Sequence, residues 1–379
     1  MLSTELGVLA AFSSAAYALA ARRGARAAST AYSDDPAYKA KVASLFAKDR
    51  VFPSIPGGES PAVVALRYSC LGLAVENVEA AAAFYGKLGF ERAADASALG
   101  GAPGAPPVPV LRSRLGLELH LLRAAAPLRD ADGKPLNALM DVPAAQKGPG
   151  HTHASWSVPS VPAVKELMAS LGVPLSGTRA SLAIFVRDPD RTTLEFERND
   201  GGDEPPPGPP GSSMIGFGRR LDHVGTRVRP PYDRHVTWFA RMLGFSFLVN
   251  KYEANVDPSK NMPPWVTRSP AGVDINLILN CSTPAPAEEG SESVLVAPGG
   301  ALRPGIVYAG YDIADDAATA LERLRAAGAD AVLDAEAAAA PEGWSGSLPR
   351  GSVCELARPS VFVRDLCGSV FRLTTAAST

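Results

Sequence analysis

The residues best placed to do chemistry lie at the two ends of one stretch, Gly150 to Glu197. It opens Gly150-His151-Thr152-His153 and closes Leu194-Glu195-Phe196-Glu197. A His and a carboxylate brought to one concave surface are ligands for a divalent ion. Strand alternation puts Glu195 and Glu197 on one face and Leu194 and Phe196 on the other. The same alternation makes His151 and His153 rivals for one role. Between the ends, Val161 to Leu171 has a helical pattern closed by Gly172. The order is therefore strand, helix, strands. Asp188-Pro189-Asp190 is turn chemistry that sets where the last strand starts.

The rest of the chain supplies elements of the same kind. Val63 to Val75 reads as a strand with Leu66, Tyr68 and Cys70 on one face, and Val78 to Leu88 as a helix ended by Gly89. Leu115 to Leu122 supplies a strand on which Glu118 and His120 share a face. Further on, Leu221 to Val228 is a strand, Asp233 to Leu243 a helix before Gly244, and Asp274 to Leu279 a strand. Ala314 to Ala327 is a helix before Gly328, and Val361 to Leu373 completes the pattern. The two halves repeat. Phe84-Tyr85 with Leu88-Gly89-Phe90 returns as Trp238-Phe239 with Leu243-Gly244-Phe245. Phe185-Val186-Arg187-Asp188 returns as Phe362-Val363-Arg364-Asp365. Each half holds two units of strand, helix and three strands, so the expected class is α+β with four βαβββ modules on curved mixed sheets. Residues 63–198 and 219–376 form the two expected domains. The Pro- and Gly-rich run at 199–213 is the linker between them.

Composition narrows the function. The chain has 379 residues, 46% of them hydrophobic, and a net charge of −2, which lacks the basic footprint of a nucleic-acid binder. Cys70, Cys281, Cys354 and Cys367 show no paired spacing, so a reducing, intracellular setting fits better than a disulfide framework. From Leu6 to Ser33 there is no acidic residue, and Ala, Ser and Arg dominate. Residues 1–50 therefore read as a targeting or flexible segment, in the first case directed to a mitochondrion or plastid. Its apolar run is short for a bilayer span, which takes ~20 residues. Stable membrane insertion of the folded domains is not expected.

With these motifs in place, the sequence resembles the vicinal oxygen chelate superfamily, which includes glyoxalase I, extradiol dioxygenases and the fosfomycin and bleomycin resistance proteins. The resemblance rests on His223-Val224-Gly225-Thr226-Arg227-Val228, the Leu-Gly-Phe helix ends, Gly150-His151-Thr152-His153, and Phe185 to Phe196 with its Asp-Pro-Asp turn. It covers roughly Val63 to Thr375. It implies a tandem of glyoxalase-like domains with a ligand on the first and last strand of each module. Carried over by position, module one offers Cys70 with Glu118 or His120, and module two offers His153 and Glu195. Module three offers His223 with Asn276 or Asp274, and module four Tyr308 and Arg372. Crossed pairing of modules two and three gives His153, Glu195, His223 and Asn276 as the metal set. Pairing within each domain would instead join Cys70 to His153 and Glu195.

The resemblance implies a divalent metal (Zn, Ni, Mn, Co or Fe) and a small oxygen-bearing substrate, 2-oxo or hemithioacetal-like. The implied reaction is that of a glyoxalase-type lyase or isomerase, with Glu195 as the catalytic base. Two other readings stay open: an extradiol-type Fe(II) dioxygenase, and a non-catalytic small-molecule-binding protein. Four modules in one chain are what other members assemble by dimerising, which implies a monomer.

Overall fold

A computed structural model of the chain describes residues 60–96, 98–99, 107–113, 116–142, 148–158, 160–179, 183–198, 221–228, 232–249, 265–269, 274–278, 295–296, 301–339, 353–354 and 358–376. The N-terminal segment at 1–50 and the linker at 199–213 lie outside the described residues. Within them, one strand–helix–three-strand succession occurs four times. The first unit is β1 (Ala65–Val75), α1 (Val78–Lys87), β2 (Glu91–Ala96), β3 (Val108–Arg112) and β4 (Glu118–Arg123). The second is β5 (Gly150–Val158), α2 (Val161–Ser170), β6 (Leu175–Arg179), β7 (Ala183–Arg187) and β8 (Thr193–Arg198). The third is β9 (Leu221–Arg227), α3 (Tyr232–Leu243), β10 (Ser246–Val249), β11 (Trp265–Arg268) and β12 (Asp274–Ile278). The fourth is β13 (Gly305–Ile313), α4 (Ala317–Ala326), β14 (Asp330–Leu333), α5 (Asp334–Ala339), β15 (Ser360–Arg364) and β16 (Val370–Thr375). The fold is α+β, as the repeat implies.

Local chemistry sets the helix limits. Asn77, Ser160 and Asp316 cap α1, α2 and α4 by accepting from the backbone N–H three residues on, at 3.0, 3.2 and 3.0 Å. Each such cap contributes about 1 kcal/mol. The Asp316 cap makes α4 start three residues later than its Ala-rich pattern suggests. The expected stops hold: Gly89, Gly172, Gly244 and Gly328 follow the four longer helices with φ of 92°, 66°, 74° and 85°. In that left-handed region a Cβ is penalised, which is why glycine ends the helix.

In every unit the first strand runs parallel to the last: β1 with β4, β5 with β8, β9 with β12, β13 with β16. The units then join through their first strands, and the joins cross. β5 pairs antiparallel with β9, and β1 pairs antiparallel with β13. One large mixed sheet results, with the order β10-β11-β12-β9-β5-β13-β1-β4-β3-β2. The main core fills one face under the helices and includes Tyr85, Met168, Phe239, Leu324, Leu194 and Phe196. A second apolar cluster, including Cys70, Ala74, Tyr308 and Phe362, covers the opposite face at the β1–β13 seam, where Val296, Leu302 and Ala337 of α5 close over it.

One expectation fails here. Tyr68 and Cys70 do not share a face: Tyr68 packs on the main core, and Cys70 lies in the second cluster. The register of β1 shifts between them, and such a bulge inserts a residue that reverses the alternation. Among the described residues no helix is long and apolar enough to cross a membrane.

Candidate metal centre

The β5–β9 seam brings three of the expected ligands together. His153 stands on β5, Glu195 on the adjoining β8, and His223 on β9. His153 Nε2 lies 3.2 Å from His223 Nε2 and 3.2 Å from Glu195 Oε2, and His223 Nε2 lies 3.5 Å from the same oxygen. Ligands ~2.0 Å from a single tetrahedral ion would stand about 3.3 Å apart. The three side chains are buried, with residue exposures of 7%, 5% and 8%. Their convergence depends on Gly225, which faces His153 across the seam: a Cβ there would lie 2.0 Å from the imidazole Cε1. Only a glycine lets the ring lie over β9.

Each imidazole is held from behind. His223 Nδ1 is 3.0 Å from Asp222 Oδ2, and Ser157 Oγ donates to Asp222 Oδ1 at 3.0 Å. His153 Nδ1 is 3.0 Å from Thr152 Oγ1, whose hydroxyl donates to the Gly225 carbonyl at 3.0 Å. Asp222 and Thr152 were not legible as site residues. Adjacent residues on a strand point to opposite faces, so neither should reach its neighbouring His. In β9 a register shift between Leu221 and His223 breaks that alternation at Asp222.

Electrostatics follow from burial and pairing. Burial opposes ionisation of Glu195, but hydrogen bonds from His153 and His223 outweigh it and hold the carboxyl well below the usual range. Burial likewise works against a charged His223, yet Asp222, Glu195 and Glu197 raise its pKa well above the ordinary value. Glu197 shares the face of Glu195, as alternation requires. It is half-buried beside Asp222 and His223, and burial with the Asp222 charge pushes its carboxyl up to about 8. Glu197, Asp222 and His223 form a second group of ligand-type atoms sharing His223 with the first.

The other expected residues separate from this centre. His151 faces away: its Nε2 is 2.9 Å from the Val370 carbonyl, its Nδ1 is 3.0 Å from Thr226 Oγ1, and burial pushes its pKa down to about 4. Cys70, Glu118, His120, Tyr308 and Arg372 gather at the β1–β13 seam instead. Asn276 lies on β12 opposite Gly225, next to Asp274 opposite His223, and the Asn276 side chain is outside the described part of the structure. Asp188 and Asp365 hold their turns: each accepts two backbone N–H groups, from Asp190 and Thr192 and from Cys367 and Ser369.

The donor set fits a divalent ion. One more observation points the same way. Ser155 stands in register with both His223 and Glu195, is fully buried, and has no hydrogen-bond partner for its hydroxyl among the described residues. Such a group costs about 1–3 kcal/mol unless something meets it.

No family profile and no curated protein sequence match the chain. Solved structures do. A Bacillus subtilis protein provisionally named a dioxygenase superposes over 83% of this chain and 87% of its own, at 12% identity and a TM-score of 0.53. A variant of glyoxalase I from Zea mays superposes over 82% of this chain and 93% of its own, at 13% identity and a TM-score of 0.50. At these identities the likeness is one of fold, and the fold is that of the vicinal oxygen chelate proteins.

Proposed function

We propose that the protein is a metal-dependent enzyme acting on a small substrate with adjacent oxygens, a lyase or isomerase of glyoxalase type. The observation that carries this reading is the convergence of His153 Nε2, His223 Nε2 and Glu195 Oε2 within 3.2–3.5 Å at the β5–β9 seam. These three residues hold the ion, with Asn276 as the fourth ligand. A bound divalent ion supplies Lewis-acid charge to the substrate oxygens. Glu195 is the base. Its carboxylate stands at the centre between the two imidazoles, where the carbon beside a bound carbonyl could pass it a proton. Ser155 offers its unpartnered hydroxyl to a substrate oxygen.

A second reading has one observation of its own: two His and one carboxylate are the ligand set of non-haem Fe(II) oxygenases. One assay separates the two. Purified protein, loaded in turn with Zn, Ni, Mn, Co and Fe(II), is given a hemithioacetal and, separately, a catechol under an oxygen electrode. Isomerisation without oxygen uptake supports the first reading, and uptake with Fe(II) alone supports the second. No bound metal and no turnover would leave a small-molecule-binding protein as the better answer. The same proposal includes two domains at 63–198 and 219–376, a monomeric chain and an organelle-targeting segment at 1–50. Light scattering and a fluorescent fusion of residues 1–50 test the last two.

A further inference from the structure

Two hydroxyls share the ligand face with His153 and Glu195. Leu194 and Phe196 point into the main core, so Thr193 and Glu195 point the other way, and Ala154 and Trp156 place His153 and Ser155 there in the same manner. His153 stands opposite Thr193 on the parallel β5–β8 pair, while Ser155 has Glu195 on one side and His223 on the other. Each hydroxyl is thus two residues from one ligand of the triad and across from another, on strands about 4.8 Å apart. Thr193 and Ser155 are buried, at 5% and 0% exposure, and neither hydroxyl finds a hydrogen-bond partner among the described residues. Native interiors rarely leave such groups unmet, and two on one face call for a common explanation. The strands themselves do not demand a hydroxyl at either place. The β1–β13 seam repeats the register, with Tyr308 opposite Val370 and Gly310 opposite Arg372. There Val370 packs in the apolar cluster, and Gly310 lies against Cys70. Of the two seams, the one that carries the hydroxyls is the one that carries the ligands.

We propose that Ser155 and Thr193 are specificity-determining residues that receive a third oxygen of the substrate, a hydroxyl on the carbon next to the pair held by the ion. The substrate class is then a small hydroxylated 2-oxo compound rather than one with an apolar tail. A hydroxyl suits this pair because it accepts from one side-chain hydroxyl while donating to the other. An apolar substituent would seal both groups from water and leave them unpaired, which is how a polar site rejects an analogue that lacks the hydroxyl. That assignment rests on the metal-site reading above, and a pair of chelating probes lets the two fail apart.

Acetohydroxamate and glycolohydroxamate both chelate a divalent ion through two adjacent oxygens, and the second adds one hydroxyl on the next carbon. Their affinities for the Co(II)-loaded full chain are read by calorimetry and by the Co(II) absorption spectrum, each divided by the affinity of the probe for free Co(II). Each new hydrogen bond should contribute about fivefold. Wild type should therefore favour glycolohydroxamate by about 25-fold, and Thr193→Val and Ser155→Ala by about fivefold each. Thr193→Ser, which keeps the hydroxyl, should stay near wild type. Equal affinities in wild type overturn the proposal even if no variant folds. So does a wild-type preference that survives in both Thr193→Val and Ser155→Ala. If the chain takes up no Co(II), or binds neither hydroxamate when loaded, the metal-site reading falls and the assignment falls with it.

Discussion

The β5–β9 and β1–β13 seams are built on one register and hold opposite chemistry. Counted along the paired strands, Tyr308 takes the place of His153, Cys70 that of His223, Arg372 that of Glu195, and His120 that of Asn276. Each seam needs a glycine beneath a ring: Gly225 under His153, and Gly72 under Tyr308, where a Cβ would lie 2.4 Å from the phenol carbons. From there they diverge. Arg372 brings a permanent cation into the β1–β13 seam, fully buried, donating to Ser360 Oγ at 2.8 Å and lying 5.2 and 5.9 Å from the Phe362 and Tyr308 ring centres. His120 Nδ1 meets Tyr308 Oη at 2.8 Å. The apolar cluster with α5 closes over that side. In the β5–β9 seam a carboxylate stands where the guanidinium would be, and two imidazoles face it. One backbone arrangement is thus filled with its own positive charge at one seam and shaped to receive one at the other.

The largest effect expected from this contrast is on metal retention. His223→Ala and Glu195→Gln should each lower divalent-metal affinity by more than the ~100-fold typical of an outer partner, whereas Cys70→Ala should hold metal as wild type does. Mass-spectrometric metal analysis of the purified proteins reads this directly, and loss in Cys70→Ala with retention in His223→Ala would move the centre to the other seam. Arg372→Ala should act on stability alone. A buried cavity with orphaned partners should cost about 3 kcal/mol in urea unfolding, with metal content unchanged in the folded fraction. Next come the two glycines. Gly225→Ala should displace His153 and weaken metal binding, while Gly72→Ala should push on Tyr308 and cost about 1–3 kcal/mol without touching the metal. Similar metal loss from both would erase the distinction.

The smallest effect is a difference in acid stability. Burial works against ionisation of Glu118, but hydrogen bonds from His120 and Arg112 prevail and hold its carboxyl down to about 2. A depressed carboxyl contributes stability that is present above its ordinary value of 4.5 and is lost as the pH falls toward 2. Unfolding free energy should therefore fall more steeply between those values in wild type than in Glu118→Gln. Equal slopes would mean that the β1–β13 seam does not rely on this charge.

Much of this was legible in the chain itself. The glycine stops and repeated aromatic pairs gave away four similar units, because a helix end and a core face each demand particular residues locally. His153, Glu195 and His223 were nameable for the same reason: each sits at a strand position that repeats. Asp222 and Thr152 were not, because a neighbouring residue should face away, and only the register of the assembled seam brings them to the ring nitrogens. Alternation put Glu197 on the face of Glu195, but it tells only which face a side chain takes and nothing about what covers that face. Helix α5, which helps to cover the β1–β13 seam, carries only Asp, Glu and Ala and gives no sign of its partner.

By itself the sequence determined the unit: which residues form its main strands, where each of the four longer helices stops, and that His153, Glu195 and His223 belong among the candidate ligands. Those are short-range matters of capping, alternation and backbone strain. Only the tertiary structure decided which first strands meet, and hence that His223 rather than Cys70 stands 3.2 Å from His153. Strand pairing between distant units is won by the whole buried surface at once, and no local pattern encodes it.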